Sequence, residues 1–278
     1  MGILFALAAS TAWGSADFFG GLKAKRHSAL AVLFTIEVSG LIVAIVVMAI
    51  AQDPFPSTRA TLCALGAGTA GIVALGAFYK ALAIGTMSIV APISATGVVL
   101  PVIVGVATGD RPGPIVIAGL VITTIGVIMA SREVHEDEQR ATAARTAILL
   151  ALLASVGFGL YFIGADVAAD DSVLWTVLLG RSVAIPFVGI ALLTRDIHLP
   201  RGNDLAVLCA AGVADLGATA LYGLANTHGD LSIVSVVGSL YPIATVILAR
   251  AILEERVRAV QAAGVIAALV GVALIAAG

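Results

Sequence analysis

The chain has 278 residues, 60% of them hydrophobic and only 12% charged, with a net charge of −2 and a mean hydropathy of +1.10. A soluble domain is typically about 25% charged and about 45–50% apolar, so the composition points to a polytopic membrane protein and leaves no room for a soluble catalytic domain. No phosphate-binding loop or DNA-binding motif occurs, which excludes ATP hydrolysis by this chain and argues against a nucleic-acid partner.

Crossing about 30 Å of hydrocarbon takes roughly 20 apolar residues in a helix. Ten such runs follow one another: 3–22, 29–51, 60–83, 86–108, 113–131, 143–165, 172–194, 203–226, 230–252 and 258–277. The expected fold class is therefore an all-α membrane protein of ten transmembrane helices. The first run begins at Ile3 with no basic stretch before it, and reads as a true span rather than a cleaved signal peptide. Loops are short and turn-forming, and the one charged linker, SREVHEDEQRATAAR at 131–145, lies near the middle. With 30 glycines and 9 prolines, close helix packing through small residues is expected.

Span one carries Trp13 and Asp17 on a face with Ser10. Asp17 either lines a polar groove with an aromatic wall or is solvated beside the basic loop LKAKRH. Span two carries Glu37, between Phe34 and Gly40 on its face. Span three ends with Tyr79 and Lys80; Lys80, like Asp17, lies near enough to a span end to snorkel. Pro92 in span four and Pro242 in span nine each free a backbone carbonyl within their helices, as a hinge, a ligand acceptor or a satisfied kink.

Arg181 sits near the middle of span seven. Span eight contains VADLGATALYGLAN, in which Asp215, Thr219, Tyr222 and Asn226 fall 4, 3 and 4 residues apart and so share one helical face. A charge at the bilayer centre costs about 2.5–3.5 kcal/mol and usually faces the bundle interior. Asp215 is accordingly expected to line a cavity, the plainer reading being hydrogen bonds that tie helices together. Glu37 and Arg181 are expected either to pair with each other or to serve transport. Tyr79 and Tyr222 occupy matching places near span ends, as site residues or as an interfacial aromatic belt. Ser232, Ser235, Ser239 and Pro242 form a further stripe, read as small-residue packing or as a binding face.

Glu254 and Glu255, with Arg256 and Arg258, read as a helix end in water. Cys63 and Cys209 are expected to be buried thiols without disulfide or metal roles. His27, His135, His198 and His228 fall in loops or span ends with no acidic partner at metal spacing. Neither a metal nor a cofactor is expected.

A shift of about 145 residues superposes one half of the chain on the other. LAASTAWG at 7–14 echoes LLASVGFG at 152–159, LCALGAG at 62–68 echoes LCAAGVA at 208–214, and GTMSIVAP meets GDLSIVSV. Gly119 and Gly126 answer Gly264 and Gly271. The halves are read as a first repeat at 1–131, a linker at 132–142 and a second repeat at 143–278. Five spans is an odd number, so the second copy enters the membrane from the opposite side. Such inverted repeats are a common plan of secondary transporters, with substrate held between the halves.

The Trp13-Gly14-Ser15 run, the stretch from Tyr79 to Pro92 and SLYPIATVILARAILEERVRAVQAAG from Ser239 to Gly264 resemble the drug/metabolite transporter superfamily, in its EamA-like branch. The resemblance covers essentially the full length. It implies a ten-helix carrier of small metabolites, amino acids, drugs or related solutes. The first half departs from the pattern: Pro101 is displaced by three positions from where Pro242 would place it, and Asp110 replaces a glutamate.

Loops on the side of the two termini carry only Arg59 and Arg111, whereas the opposite loops carry Lys23, Lys25, Arg26, Arg132, Arg140, Arg145, Arg195, Arg201, Arg256 and Arg258. The positive-inside rule puts the second set in the cytoplasm and both termini outside, although relatives of the family are usually drawn with cytoplasmic termini. The leading functional expectation is alternating-access transport of a small organic solute in the plasma membrane, with lipid around the bundle and proton coupling through Asp215 or Glu37. The alternatives are a uniporter or exchanger and, less favoured, a channel or an embedded enzyme. Substrate identity and oligomeric state do not follow from the sequence.

Overall fold

The computed structural model describes residues 1–100, 103–104, 113–130, 138–169, 171–194, 197–228, 240–255 and 258–277. Among them every regular element is a helix: α1 (Gly2–Ala24), α2 (Ala29–Ala51), α3 (Thr58–Ile84), α4 (Met87–Ala95), α5 (Pro114–Ala130), α6 (Glu138–Ala169), α7 (Val173–Ser182), α8 (Ala184–Thr194), α9 (Asn203–His228), α10 (Tyr241–Leu253) and α11 (Ala259–Ala277). The reason is elementary: in hydrocarbon a helix is the one local structure that satisfies all of its own backbone groups. Six segments are long and apolar enough to cross a membrane: α1, α2, α3, α6, α9 and the α7–α8 pair. The helices α5, α10 and α11 are shorter apolar ones. This is an integral, multi-pass membrane protein.

Three spans depart from the continuous helices read in the sequence. The seventh breaks at Val183 into α7 and α8. Pro186 has no N–H to offer the Ser182 carbonyl four residues earlier, which loosens the helix at that point. The fourth tightens after Ala95 into a 3₁₀ turn at Thr96–Val98, with Pro92 inside the preceding helix. In the ninth, Pro242 falls in the first turn of α10. An N–H there has no helical partner anyway, so the expected mid-helix hinge at Pro242 is corrected to a helix start. The helix α6 begins at Glu138, inside the stretch read as linker.

The most extensive packings come in related pairs. α1 lies on α9 as α3 lies on α6; α2 lies on α9 as α7 lies on α3; α1 lies on α10 as α6 lies on α4. The pairs α5–α11, α4–α10 and α2–α7 are their own counterparts when the halves are exchanged. Small residues allow the closest of these approaches. A Cβ at Gly119 would stand 2.8 Å from the Gly271 carbonyl oxygen, and one at Gly126 would stand 2.7 Å from that of Gly264. The glycines of the two halves thus meet crosswise along α5 and α11, each facing the counterpart of the other glycine on its own helix.

Loops at one end of the bundle are tied by polar contacts. Ser57 caps α3, accepting the Ala60 N–H at 3.3 Å, and its own N–H donates to Asp171 at 2.8 Å. Ser172 caps α7 and donates to Asp53 at 2.8 Å. Hydrogen bonds from Ser57, its side chain before its backbone, hold the Asp171 carboxyl below its ordinary pKa. With the folded-state value lowered, this tie is complete above the ordinary carboxylate range and is lost as pH falls through the lowered one. Asp171→Ala should therefore lower the thermal midpoint at neutral pH, and the gap to wild type should close as the protein is acidified. A constant gap would show that the carboxylate charge plays no part.

Candidate functional site

The interior of the bundle holds an ion-pair cluster built from three helices. Arg181, near the C-terminus of α7, points its guanidinium between α2 and α9. One Nη donates to Asp215 and the other to Glu37 at 3.5 Å. The side chains of Arg181 and Glu37 are 10% and 7% exposed, that of Asp215 22%. Two glycines make room for the group. A Cβ at Gly40 would sit 2.5 Å from an Arg181 Nη, and one at Gly212 would collide with Ser39 Oγ and the Ile36 carbonyl. The α2–α9 seam is thus so narrow that a side chain at Gly212 would force the helices apart, and one at Gly40 would displace the guanidinium.

A second polar group lies on α1. Asp17 is 8% exposed, so it is buried and not solvated beside the basic loop. It is within electrostatic range of Asp215. One turn away, the Trp13 ring lies 5.6 Å from Tyr222 and 6.5 Å from Tyr241, centroid to centroid. On the other side of Asp17, Tyr79 rests on Gly20, where a Cβ would stand 2.7 Å from its ring. Tyr79 is 2% exposed, which rules out the interfacial-belt reading for it. Elsewhere on α3, a Cβ at Gly71 would touch the Tyr161 ring at 3.0 Å.

The structure therefore brings Asp215, Arg181 and Glu37 together, and sets Trp13, Asp17, Tyr79 and Tyr222 beside them. Three expectations fare differently. Thr219 shares the Asp215 face but gives its hydroxyl to the Asp215 carbonyl at 3.1 Å. Lys80, next to Tyr79 on α3, is exposed. Ser239, Ser235 and Ser232 lie outside the described residues, as does the side chain of Asn226. Cys63 and Cys209 are free, and half-buried instead of buried. No metal-ligand cluster occurs among the described residues.

Sequence reasoning missed Tyr241, Gly40 and Gly212, and misread Glu255. Tyr241 was masked by the proline next to it, and the glycines by their abundance. Glu254 is exposed as expected, but Glu255 turns inward. Its two carboxylate oxygens accept the N–H groups of Met87 and Ser88 at 3.0 and 2.9 Å. The start of α4 has no acidic residue in its first turn and no side-chain cap of its own. A distant carboxylate satisfies those orphan donors and the helix dipole together. Lys25 approaches the same carboxylate at 3.9 Å, while Lys23 and His27 hold Asp204 at 2.5 and 2.7 Å. The end of α1 is thereby fastened to the start of α9 and the end of α10.

A helical membrane bundle with paired halves and a charged interior defines a class, that of polytopic membrane proteins with a buried polar centre. The chain belongs to the EamA-like transporter family, whose model matches residues 1–132 and again 145–277. A solved crystal structure of a protein aligns with 98% of this chain and 95% of its own, with a TM-score of 0.65 and 14% sequence identity. At that identity the likeness is one of fold. No curated protein matches the chain.

Proposed function

We propose that the chain is a secondary transporter of ten spans, arranged as two inverted five-helix repeats at 1–131 and 143–278, that carries a small organic solute across the plasma membrane by alternating access. The observation that carries this reading is the Glu37–Arg181–Asp215 cluster. It joins α2 of the first half to α7 and α9 of the second inside a largely apolar bundle, where ionisable groups mark substrate and ion paths. The exchange-related helix packings and the two matches to the family model support the repeat. Inverted repeats can interchange conformations and open to alternate sides. The apolar outer faces, with exposed Ile42, Leu149, Leu160 and Ile266, suit contact with lipid.

The interior carboxylates also make proton coupling the favoured mode, with Asp215 or Glu37 taking up the proton. Thermal-shift screening of the purified protein against metabolite classes would supply the solute, and its uptake into proteoliposomes would test transport. Uptake should rise when a pH gradient is imposed; an unchanged rate would sink coupling. Asp215→Asn should slow uptake about tenfold or more without preventing membrane insertion. Full activity in that variant would remove Asp215 from the path.

A further inference from the structure

Among the described residues the buried charges around Arg181 do not balance. Glu37 and Asp215 together meet one guanidinium, that of Arg181. Asp17 adds another carboxylate, 8% exposed, and no described residue hydrogen-bonds or ion-pairs with it. Nor do the described residues supply a spare cation: Lys23 is held by Asp204 at 2.5 Å, and Lys80 is exposed. A buried carboxylate without a partner is costly, and within range of Asp215 it also meets a like charge. A cationic group from beyond the described residues would offset that cost.

The walls around Asp17 say what kind. Trp13 precedes it by one turn on the same face of α1, with the rings of Tyr222 and Tyr241 5.6 and 6.5 Å away. Tyr79 covers Gly20, one turn beyond. Aromatic ring faces attract cations, most strongly where water is excluded, and no group of three His, Cys, Asp or Glu side chains that could hold a metal ion occurs among the described residues. Carboxylate and rings together are the chemistry that receives an ammonium on an apolar body.

Resting on the transporter reading, we propose that Asp17, with Trp13, Tyr79, Tyr222 and Tyr241, forms the binding site for an organic cation, an amine or quaternary ammonium carrying an aromatic or alkyl group. The ammonium lies against the Asp17 carboxylate and the rings hold its apolar part. Arg181 stays in its pair of carboxylates, and the site discriminates against anions.

The test is a titration of full-length protein in detergent. The chain has two tryptophans, so Trp175→Phe leaves Trp13 as the sole fluorophore. Benzyltrimethylammonium should quench it saturably, at a concentration about tenfold lower than phenylacetate requires. Asp17→Asn should weaken the cation about tenfold and leave phenylacetate unaffected or tighter. Equal or better binding of phenylacetate, no saturable quenching by the cation, or unchanged cation binding in Asp17→Asn would each overturn the site. The wild-type comparison of cation with anion decides alone if the asparagine variant does not fold. Counterflow of the same cation in proteoliposomes separates the two ideas. Binding without counterflow keeps the site and removes the transporter reading, whereas carriage of other solutes without cation binding does the reverse.

Discussion

Arg181→Met should abolish transport and destabilise the protein by about 3 kcal/mol, a loss visible in thermal unfolding in detergent. The guanidinium sits between Glu37 and Asp215 on helices from the two halves. Taking it away leaves two carboxylates facing each other in a place where neither is well hydrated. Breaking one partner of a buried pair is worse than removing the whole set. The triple variant Glu37→Gln, Arg181→Met, Asp215→Asn should therefore recover most of the stability lost in the single one. Such strong non-additivity is the mark of groups in one network. If single and triple variants unfold together, the three residues do not hold the halves as a unit. Transport should stay lost in both.

Gly212→Val should cost about 2 kcal/mol or more, through sterics alone. The α2–α9 seam already places Ser39 Oγ and the Ile36 carbonyl where a side chain would begin. A backbone carbonyl cannot rotate away as a lysine tip can, so the helices must part. Parting them also draws Glu37 away from Arg181, because Gly40 and the guanidinium share the seam. Loss of transport should accompany loss of stability. Gly217, five residues on, is the control: a Cβ there meets nothing within 4 Å. Gly217→Ala should be neutral or slightly stabilising, since alanine is the better helix former. Equal effects at the two positions would show that helix propensity, not the seam, sets the outcome.

Much of the fold was legible because the membrane allows few solutions. Long apolar runs must become helices there, so α1, α2, α3, α6 and α9 fall close to the runs read from sequence. The glycines Gly119, Gly126, Gly264 and Gly271 announced close packing, though not that α5 and α11 would meet through them. Asp215, Thr219 and Tyr222 all lie on α9, yet a shared face does not reveal partners. Thr219 spends its hydroxyl on its own helix, while Tyr222 reaches Trp13 on α1. Lys80 and Tyr79 are neighbours in sequence on α3, yet one is exposed and the other buried.

By itself, the sequence determined that the chain spans a membrane as helices, that its halves are related, and that a few charges must be sheltered. Those conclusions follow from local hydrophobicity and from self-similarity, which need no neighbours. Only the tertiary structure decided which charges meet. Arg181 could have paired with Glu37 alone, Glu255 could have faced water, and Asp17 could have reached the loop. Their fates depend on which helices pass within a few ångströms of one another, and those approaches are set by the glycine seams between segments far apart in the chain.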